Sequence, residues 1–477
     1  MAAPILSRMS TAAPWIRIAR SRAFALWQPL VEAVATMMAA VATLLCTQAF
    51  APGRDPAVLA VVLCLSLSRS QLDRDLRGRL EAAVVLPAVG FVAIGVGLLL
   101  RHLPWMGALV FVGGLFLSIW LRRFGQAARR AGSLMALPFV VLLTVPHGRA
   151  DSSALLPAWL VPMLVAWLAL GWVSVFHLLL RRLRLQPARM PEVTTVPALP
   201  VADGRQRMPA STRMAVQMAV ALAVAFVAGY VFFPERWAWI VLTAFIVNSG
   251  NRGRLDVAYK SGLRVLGAAA GTVLAMSLSL HLTDDPTITG MLILLALFFG
   301  AWLRPLGYGW WALFVTLALA LLQGFGDATP TAMLWQRLEE IAIGAVIGLA
   351  SAWFVLPVRS TDVLRRRLAD ALAALSEAID PATPVRTPAR VVASMAQLEQ
   401  MIAPFHASRW ATRRFRAVHP ADWADTLLAC RAPAIELIMR GETPGRVRQA
   451  VGQARRALRE PAALLPALQH LRSMLEG

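Results

Sequence analysis

Long apolar blocks alternate with short basic breaks along most of the chain. The blocks fall near 30–50, 57–68, 82–100, 104–121, 133–146 and 155–180, and again near 214–233, 237–249, 262–282, 287–303, 309–323 and 334–357. A helix needs roughly 20 apolar residues to cross the hydrocarbon of a bilayer. The blocks at 57–68 and 237–249 hold only about a dozen, and Pro138 and Pro146 bracket the fifth. Helices that short are tolerated at membrane depth only where protein or a water-filled cavity covers their ends. Residues 181–212 interrupt the pattern with a basic, proline-rich stretch lacking a helical period, which predicts an exposed linker. From Arg359 onward the chain turns polar and amphipathic. Leu364, Leu368, Leu372, Leu375 and Ile379 recur at helical spacing behind a Ser360/Thr361 cap.

The two sets of six blocks resemble each other. Leu72-Asp73 with Arg77 and Leu80 matches Leu255-Asp256 with Lys260 and Leu263 at a constant offset of 183 residues. WLRRFG at 120–125 matches WLRPLG at 302–307 at an offset of 182. Six spans per half, an even number, gives both repeats one orientation about an axis along the membrane normal. The pattern therefore predicts an all-α polytopic membrane protein with two parallel six-helix transmembrane repeats and a C-terminal cytoplasmic helical domain. The expected boundaries are a cytoplasmic segment at 1–26, a first, degenerate repeat at 27–185, a linker at 186–212, a second repeat at 213–358 and the C-terminal domain at 359–477. Short blocks at matching places of two halves point to a transport site. The second of them opens the stretch WAWIVLTAFIVNSGNRGRLDVAYKSGLRVLGAAAGT at 237–272. There a short apolar run, a polar turn and a basic ramp through Asp256, Lys260 and Arg264 lead into the next apolar helix.

Apolar residues make up 58% of the 477 positions and charged residues only 15%, with a mean hydropathy of +0.61. A soluble chain of this length needs more charge to cover its surface, so an ordinary soluble globule is excluded. The formal charge is +21, nearly all of it arginine, with Lys260 the sole lysine. Most arginines flank apolar blocks, which assigns them to loops on the anionic cytoplasmic face of a membrane rather than to nucleic acid. With the N-terminus inside, 24 Lys/Arg fall in the cytoplasmic breaks before Arg359, against five (Arg54, Arg101, Arg149, Arg236, Arg337) in the external ones. The positive-inside rule thus places both termini and the linker in the cytoplasm. Residues 359–477 carry 18 arginines and 11 acidic residues, scattered between helices. Those helices are expected to pack together beneath the membrane or bind a partner helix, with His406, His419, Trp410 and Trp423 as packing residues. The first apolar block is long and lacks a clear small-residue cleavage site, so it reads as a retained span. Cys46, Cys64 and Cys430 are isolated and read as core residues.

WAWIVLTAFIV, the arginine-rich turn behind it, Arg264-Val-Leu-Gly267 and Gly271-Thr272 resemble the fusaric acid resistance-like (FUSC) membrane domain of the aromatic acid exporter superfamily. Arg337-Leu-Glu-Glu-Ile-Ala-Ile-Gly344 and the exit Leu356-Pro357-Val358-Arg359 fit the same pattern. The resemblance covers 213–359 and is faint over 27–185, where Val84 stands opposite Gly267. It implies a bacterial inner-membrane exporter of aromatic carboxylic acids and related toxic compounds, which in some members works with a periplasmic adaptor protein. Plant malate channels are distantly similar in their membrane domain, which implies a passive alternative.

Charged side chains at mid-span cost about 2.5–3.5 kcal/mol on insertion scales, so they usually have a role. Glu32, near the cytoplasmic end of the first block, is either a proton-coupling carboxylate or an interfacial one that reaches water or an arginine. Arg264 and Lys260 lie one turn apart and share a face. They offer a cationic seat to a carboxylate, arginine as a bidentate fork, or they anchor topology with Asp256 neutralising Lys260. Gly267 and Gly271 form a small-xxx-small pair for close helix approach, and Gly344 is a third packing glycine. Thr272 bonds a neighbouring helix or faces the pathway, and Asn248 ends the short segment. Trp237 and Trp239 form an interfacial belt or a stacking surface for an aromatic acid. Arg337 and Glu340 share a face at the external end of the last block, as a mutual ion pair or as substrate groups. Arg122 and Arg304 read as duplicated topological anchors.

No G-x-x-x-x-G-K-[ST], no H-E-x-x-H and no nucleophile with a recognisable base occur in the sequence. The expectation is therefore no enzyme, no catalytic residue, no metal ligand and no cofactor. The reading is an inner-membrane efflux carrier of small aromatic or amphipathic organic acids driven by the proton gradient. The alternatives are a passive organic-anion channel and a non-transporting envelope protein acting through its cytoplasmic domain. The partners that follow are membrane lipids, a small organic anion, a periplasmic adaptor and a second copy of the chain, with no nucleic acid. Fluorescent-protein fusions within 190–205 and after Gly477 should fluoresce, while alkaline phosphatase fused at Gly53 should be active; the reverse pattern would invert the topology.

Overall fold

The computed structural model describes residues 14–71, 76–125, 159–183, 210–279, 285–323, 330–382, 388–415, 417–442 and 444–477, with isolated positions between 128 and 157 and Leu185. All regular elements among these are helices. They form two units. The first holds the described residues of 1–188, 209–247 and 260–348, and the second those of 248–259 and 349–477.

The apolar blocks become α1 (Pro14–Phe50), α2 (Arg54–Gln71), α3 (Leu76–His102), α4 (Pro104–Trp120), α5 (Val161–Arg182), α6 (Ala210–Phe232), α7 (Trp237–Asn248), α8 (Arg254–Ser279), α9 (Pro286–Leu303), α10 (Tyr308–Gln323) and α11 (Pro330–Phe354). Seven stretches, Leu26–Phe50, Arg79–His102, Pro104–Phe124, Val161–Arg182, Ser211–Phe232, Arg254–Leu278 and Thr287–Leu306, are long and apolar enough to cross a bilayer. The chain is a multi-pass membrane protein. The remaining blocks differ from one another. The block at 57–68, expected to be short, lies inside the 18-residue α2, because helical residues with polar side chains extend it at both ends. Its counterpart α7 has 12 residues, about 18 Å of helix, which falls short of the roughly 30 Å hydrocarbon core. α10 has 16 residues. α11 has 25 but carries Arg337, Glu339 and Glu340. Most of the block at 133–146 lies outside the described residues.

Local chemistry sets the helix ends. Pro104 and Pro286 occupy first-turn positions, where a missing N–H costs nothing. Asp285 caps α9 by accepting the Thr287 N–H at 2.8 Å. WLRRFG and WLRPLG fold alike, each ending a helix in a 3₁₀ turn, Leu121–Phe124 and Arg304–Leu306. Gly125 follows the first at φ +105°, a conformation that favours glycine. Arg123 stacks on Trp120 at 4.2 Å and Arg304 on Trp311 at 4.6 Å.

Within the first unit α1, α2 and α5 pack together with α3 beside them, while α9 pairs with α10. Among the described residues, the halves of the sequence meet where α1 packs on α9 and where α4 packs on α6. The first is tied by Trp302 Nε1 donating to the Leu26 carbonyl at 3.3 Å, the second by Tyr230 Oη donating to the Pro104 carbonyl at 3.1 Å. Phe111 of α4 meets Phe139 and Phe226 edge-on at 5.3 and 5.4 Å, pairs worth about 0.5–1.5 kcal/mol each beyond their burial.

The second unit gathers α12 (Ser360–Ala378), α13 (Ala389–Glu399), α14 (Ala403–Thr412), α15 (Pro420–Ala429), α16 (Arg431–Met439), α17 (Gly445–Ala457) and α18 (Pro461–Glu476). The stripe Leu364, Leu368, Leu372, Leu375 and Ile379 is buried at its centre, with Val391, Met395, Leu427 and Leu468 against it. His419 and Trp423 are buried, and His406 bonds Asp425 at 2.8 Å. Trp410, expected to pack, is 73% exposed; it lies on the outer side of α14, whose buried residues are Pro404 and Phe405.

The polar turn at 249–254 also belongs to this unit. The Arg254 N–H donates to the Val358 carbonyl at 3.2 Å and the Leu255 N–H to Ser360 Oγ at 2.9 Å. These bonds satisfy donors that a helix N-terminus leaves open. Arg252 Nη1 reaches the Gln400 carbonyl at 2.9 Å, and Leu255 packs on the same core as Leu364. Gly253 sits at φ +117°, and a Cβ there would lie 2.6 Å from Ser360 Oγ and 2.9 Å from Ser360 Cα. Gly253→Ala should lower stability by about 1–3 kcal/mol, read as an earlier thermal unfolding transition in detergent; an unchanged transition would show that the turn is not held this closely.

Candidate functional site

Helices α8 and α10 approach backbone to backbone. A Cβ on Gly267 would lie 2.8 Å from Ala312 Cβ and 2.9 Å from the Gly309 carbonyl oxygen, and one on Gly271 only 2.3 Å from the Leu313 carbonyl oxygen. Only glycine permits such spacing, the close packing that membrane helices use in place of a hydrophobic drive. α7 and α11 make a similar contact, where a Cβ on Gly344 would lie 2.6 Å from the Ile240 carbonyl oxygen.

The first contact places Arg264 in the interior. It is 1% exposed and heads the fully buried side chains by size. Nη1 donates to Thr316 Oγ1 of α10 at 3.4 Å, while Nε and Nη2 have no hydrogen-bond partner among the described residues. Thr316 is itself buried. Tyr308, at the start of α10, lies within electrostatic reach of Arg264, and its buried hydroxyl also lacks a partner among the described residues. Ser261, one turn before Arg264 on the same helix face, is a second buried hydroxyl without one. The cluster offers hydrogen-bond donors on one planar cation and two hydroxyls, a set that suits a carboxylate.

A family model described as fusaric acid resistance protein-like matches residues 219–351. Those residues are similar to that family and make up a FUSC-like stretch. No curated protein and no solved structure matches the chain.

The FUSC-like domain, the second half of α6 through most of α11, contains the whole Arg264 cluster and a second buried charge. Glu340 of α11 is 1% exposed, and neither carboxylate oxygen accepts a hydrogen bond among the described residues. Arg236 and Arg337 are within electrostatic reach. Arg337 and Glu340, read from sequence as an ion pair or as substrate groups, act on each other electrostatically without a hydrogen bond at the Glu340 carboxylate; the Arg337 guanidinium lies 5.9 Å from the Trp239 ring centre. Arg236 donates to the Gln336 side chain.

The other candidate residues scatter. Trp237 is half-buried against Phe226 and Tyr230, at 5.3 and 5.5 Å, a packed aromatic group rather than an open stacking surface. Thr272 is buried and donates to the Ala268 carbonyl of its own helix at 2.7 Å. Asn248 is buried. The Asp256 carboxylate accepts the Arg252 N–H at 3.0 Å, and Lys260 is half-buried. Glu32, outside the FUSC-like domain, is half-buried and accepts from Gln28 at 3.2 Å. Arg264 and Glu340 are thus predicted residues that keep buried polar atoms with no hydrogen-bond partner among the described residues. Sequence reading missed Tyr308, Thr316 and Ser261, common residues with no motif around them. It also missed His177, an ionisable residue inside the apolar run VAWLALGWVSVFHLLL.

A guanidinium buried this way weakens the fold, because its lost hydration is not repaid by partners. Arg264→Met, which keeps the volume and removes the charge, should leave thermal stability unchanged or raise it by about 1–4 kcal/mol, measured in detergent without added anion. A marked loss of stability would make Arg264 a structural residue.

Proposed function

We propose that the protein is an inner-membrane efflux carrier for small aromatic or amphipathic organic acids, with the Arg264 cluster as its anion seat. The observation that carries this reading is a fully buried arginine with two guanidinium nitrogens open, beside the hydroxyls of Thr316 and Tyr308. Ionisable groups inside a membrane bundle mark substrate or ion pathways by default. A carboxylate entering here gains charge-assisted bonds from a donor already desolvated, and the guanidinium gains the partner it lacks.

Two further observations support the carrier architecture. The α1–α9 and α4–α6 contacts exchange with each other when the halves of the sequence are swapped, as an axis along the membrane normal requires of two parallel repeats. The WLRRFG and WLRPLG turns fold alike at matching places. The excess of arginines in alternate breaks favours cytoplasmic termini in a bacterial inner membrane. Proton coupling, a periplasmic adaptor and self-association complete the proposal.

Accumulation of a labelled hydroxybenzoate in cells, with and without a protonophore, tests it. Wild-type protein should lower accumulation severalfold, and the protonophore or Arg264→Ala should abolish the effect. Lowered accumulation that ignores the protonophore would point to a channel. No difference from empty cells, with the protein confirmed in the membrane, would overturn the reading.

A further inference from the structure

A second buried polar chain lies in the first half of the sequence, outside the FUSC-like domain, and no group proposed above uses it. His177 of α5 is 2% exposed. Its Nε2 is 3.3 Å from Ser68 Oγ of α2, and Ser68 Oγ is 2.5 Å from Thr36 Oγ1 of α1. Ser68 and Thr36 are buried as well. Thr36 Oγ1 donates to the Glu32 carbonyl at 2.7 Å.

Donor counting fixes the direction of every bond in this chain. A hydroxyl has one proton to give. Thr36 gives its proton to the Glu32 carbonyl, so Thr36 Oγ1 accepts from Ser68. Ser68 has then given its only proton, so its oxygen accepts from His177, and Nε2 carries the hydrogen. The neutral ring therefore presents Nδ1 as a bare lone pair. Nδ1 is buried and has no hydrogen-bond partner among the described residues. A buried acceptor left so has given up its hydration for nothing in return, and histidine is the side chain whose ordinary protonation range lies near neutrality.

We propose that His177 Nδ1 is the proton-binding site that couples this transporter to the proton gradient. The inference rests on the carrier reading above. In the loading step the Nδ1 lone pair takes a proton from water on one side of the membrane, forming an N–H bond and an imidazolium. In the unloading step that bond breaks and the proton passes to water on the other side, restoring the neutral ring. The Nε2–Ser68–Thr36 chain holds the ring in one orientation throughout, since each of its bonds survives protonation at Nδ1. Among the residues whose side chains are described, the helices around the ring carry Glu32 and Cys46 of α1, Arg54, Asp55 and Cys64 of α2, Arg79, Glu81, Arg101 and His102 of α3, and Arg181 and Arg182 of α5 itself. Of these, Arg79 and Arg181 act on it electrostatically. The proton is thus handled between α1, α2, α3 and α5, and the organic anion between α8 and α10.

Purified protein in liposomes separates the two halves of this scheme. One assay reads hydroxybenzoate accumulation driven by an imposed pH difference; the other reads exchange of labelled for unlabelled hydroxybenzoate at equal pH, which needs no net proton movement. His177→Gln can still donate to Ser68 and cannot take up a proton at neutral pH. It should reduce gradient-driven accumulation at least tenfold while keeping exchange within about twofold of wild type. Ser68→Ala, which frees the ring to turn, should lower the driven mode severalfold and leave exchange intact. Loss of both modes together in both variants, with protein present in the membrane, would make His177 structural and overturn the inference. Unchanged driven accumulation in His177→Gln would overturn it as well. Wild-type protein silent in both assays would instead sink the carrier reading on which the inference stands.

Discussion

The contact between α8 and α10 is the constraint from which the site follows. Lipid gives helices no hydrophobic reason to associate, so association rests on how closely their surfaces fit. Gly267 and Gly271 let the α10 backbone come within the space a methyl group would occupy. At that separation the Arg264 side chain, on a neighbouring turn of the same helix, has no route to solvent and ends against Thr316. A bulkier pair would hold the helices apart and open a path for the guanidinium to snorkel outward. The glycines thus turn an arginine that would otherwise mark the end of a helix into an interior cation.

Burial then selects the chemistry. Arg264, Glu340 and His177 are all inside the first unit, and each keeps at least one polar atom without a hydrogen-bond partner among the described residues. Stable bundles avoid such groups, because each open donor or acceptor costs about 1–3 kcal/mol and a charged one more. Those on α8 and α5 are what the proposed anion and proton roles draw on. A fixed ion pair at Arg337 and Glu340 would have removed the need for one of them. The geometry instead puts Arg337 near the Trp239 ring and leaves the Glu340 carboxylate open.

The turn at 249–254 shows where a reading by blocks misplaces a boundary. Its arginines sit between two apolar runs, so the sequence assigns them to a loop of the second repeat. Backbone hydrogen bonds decide otherwise. Arg254 and Leu255 donate to Val358 and Ser360, about a hundred residues later in the chain, and Gly253 exists in its left-handed conformation against Ser360. No local pattern encodes that pairing, since any main-chain donor can meet any main-chain acceptor. The stripe of Leu364, Leu368, Leu372, Leu375 and Ile379 was legible because a helix that buries one face must repeat apolar residues at its own period.

Hydropathy and charge by themselves determined that the chain is helical and membrane-embedded, and where its principal helices run. Those features follow from segment length and residue type, which a bilayer reads one helix at a time. Which of the ionisable residues are buried with open polar atoms was decided only by tertiary structure. Glu32 reads from sequence as either a proton-coupling or an interfacial carboxylate, and it is half-buried and bonded to Gln28. His177 passed unnoticed, yet it ends a buried chain running through Ser68 to Thr36, residues more than a hundred positions away. Burial and partnering are properties of several helices at once. A helix written alone carries its charges but not its neighbours.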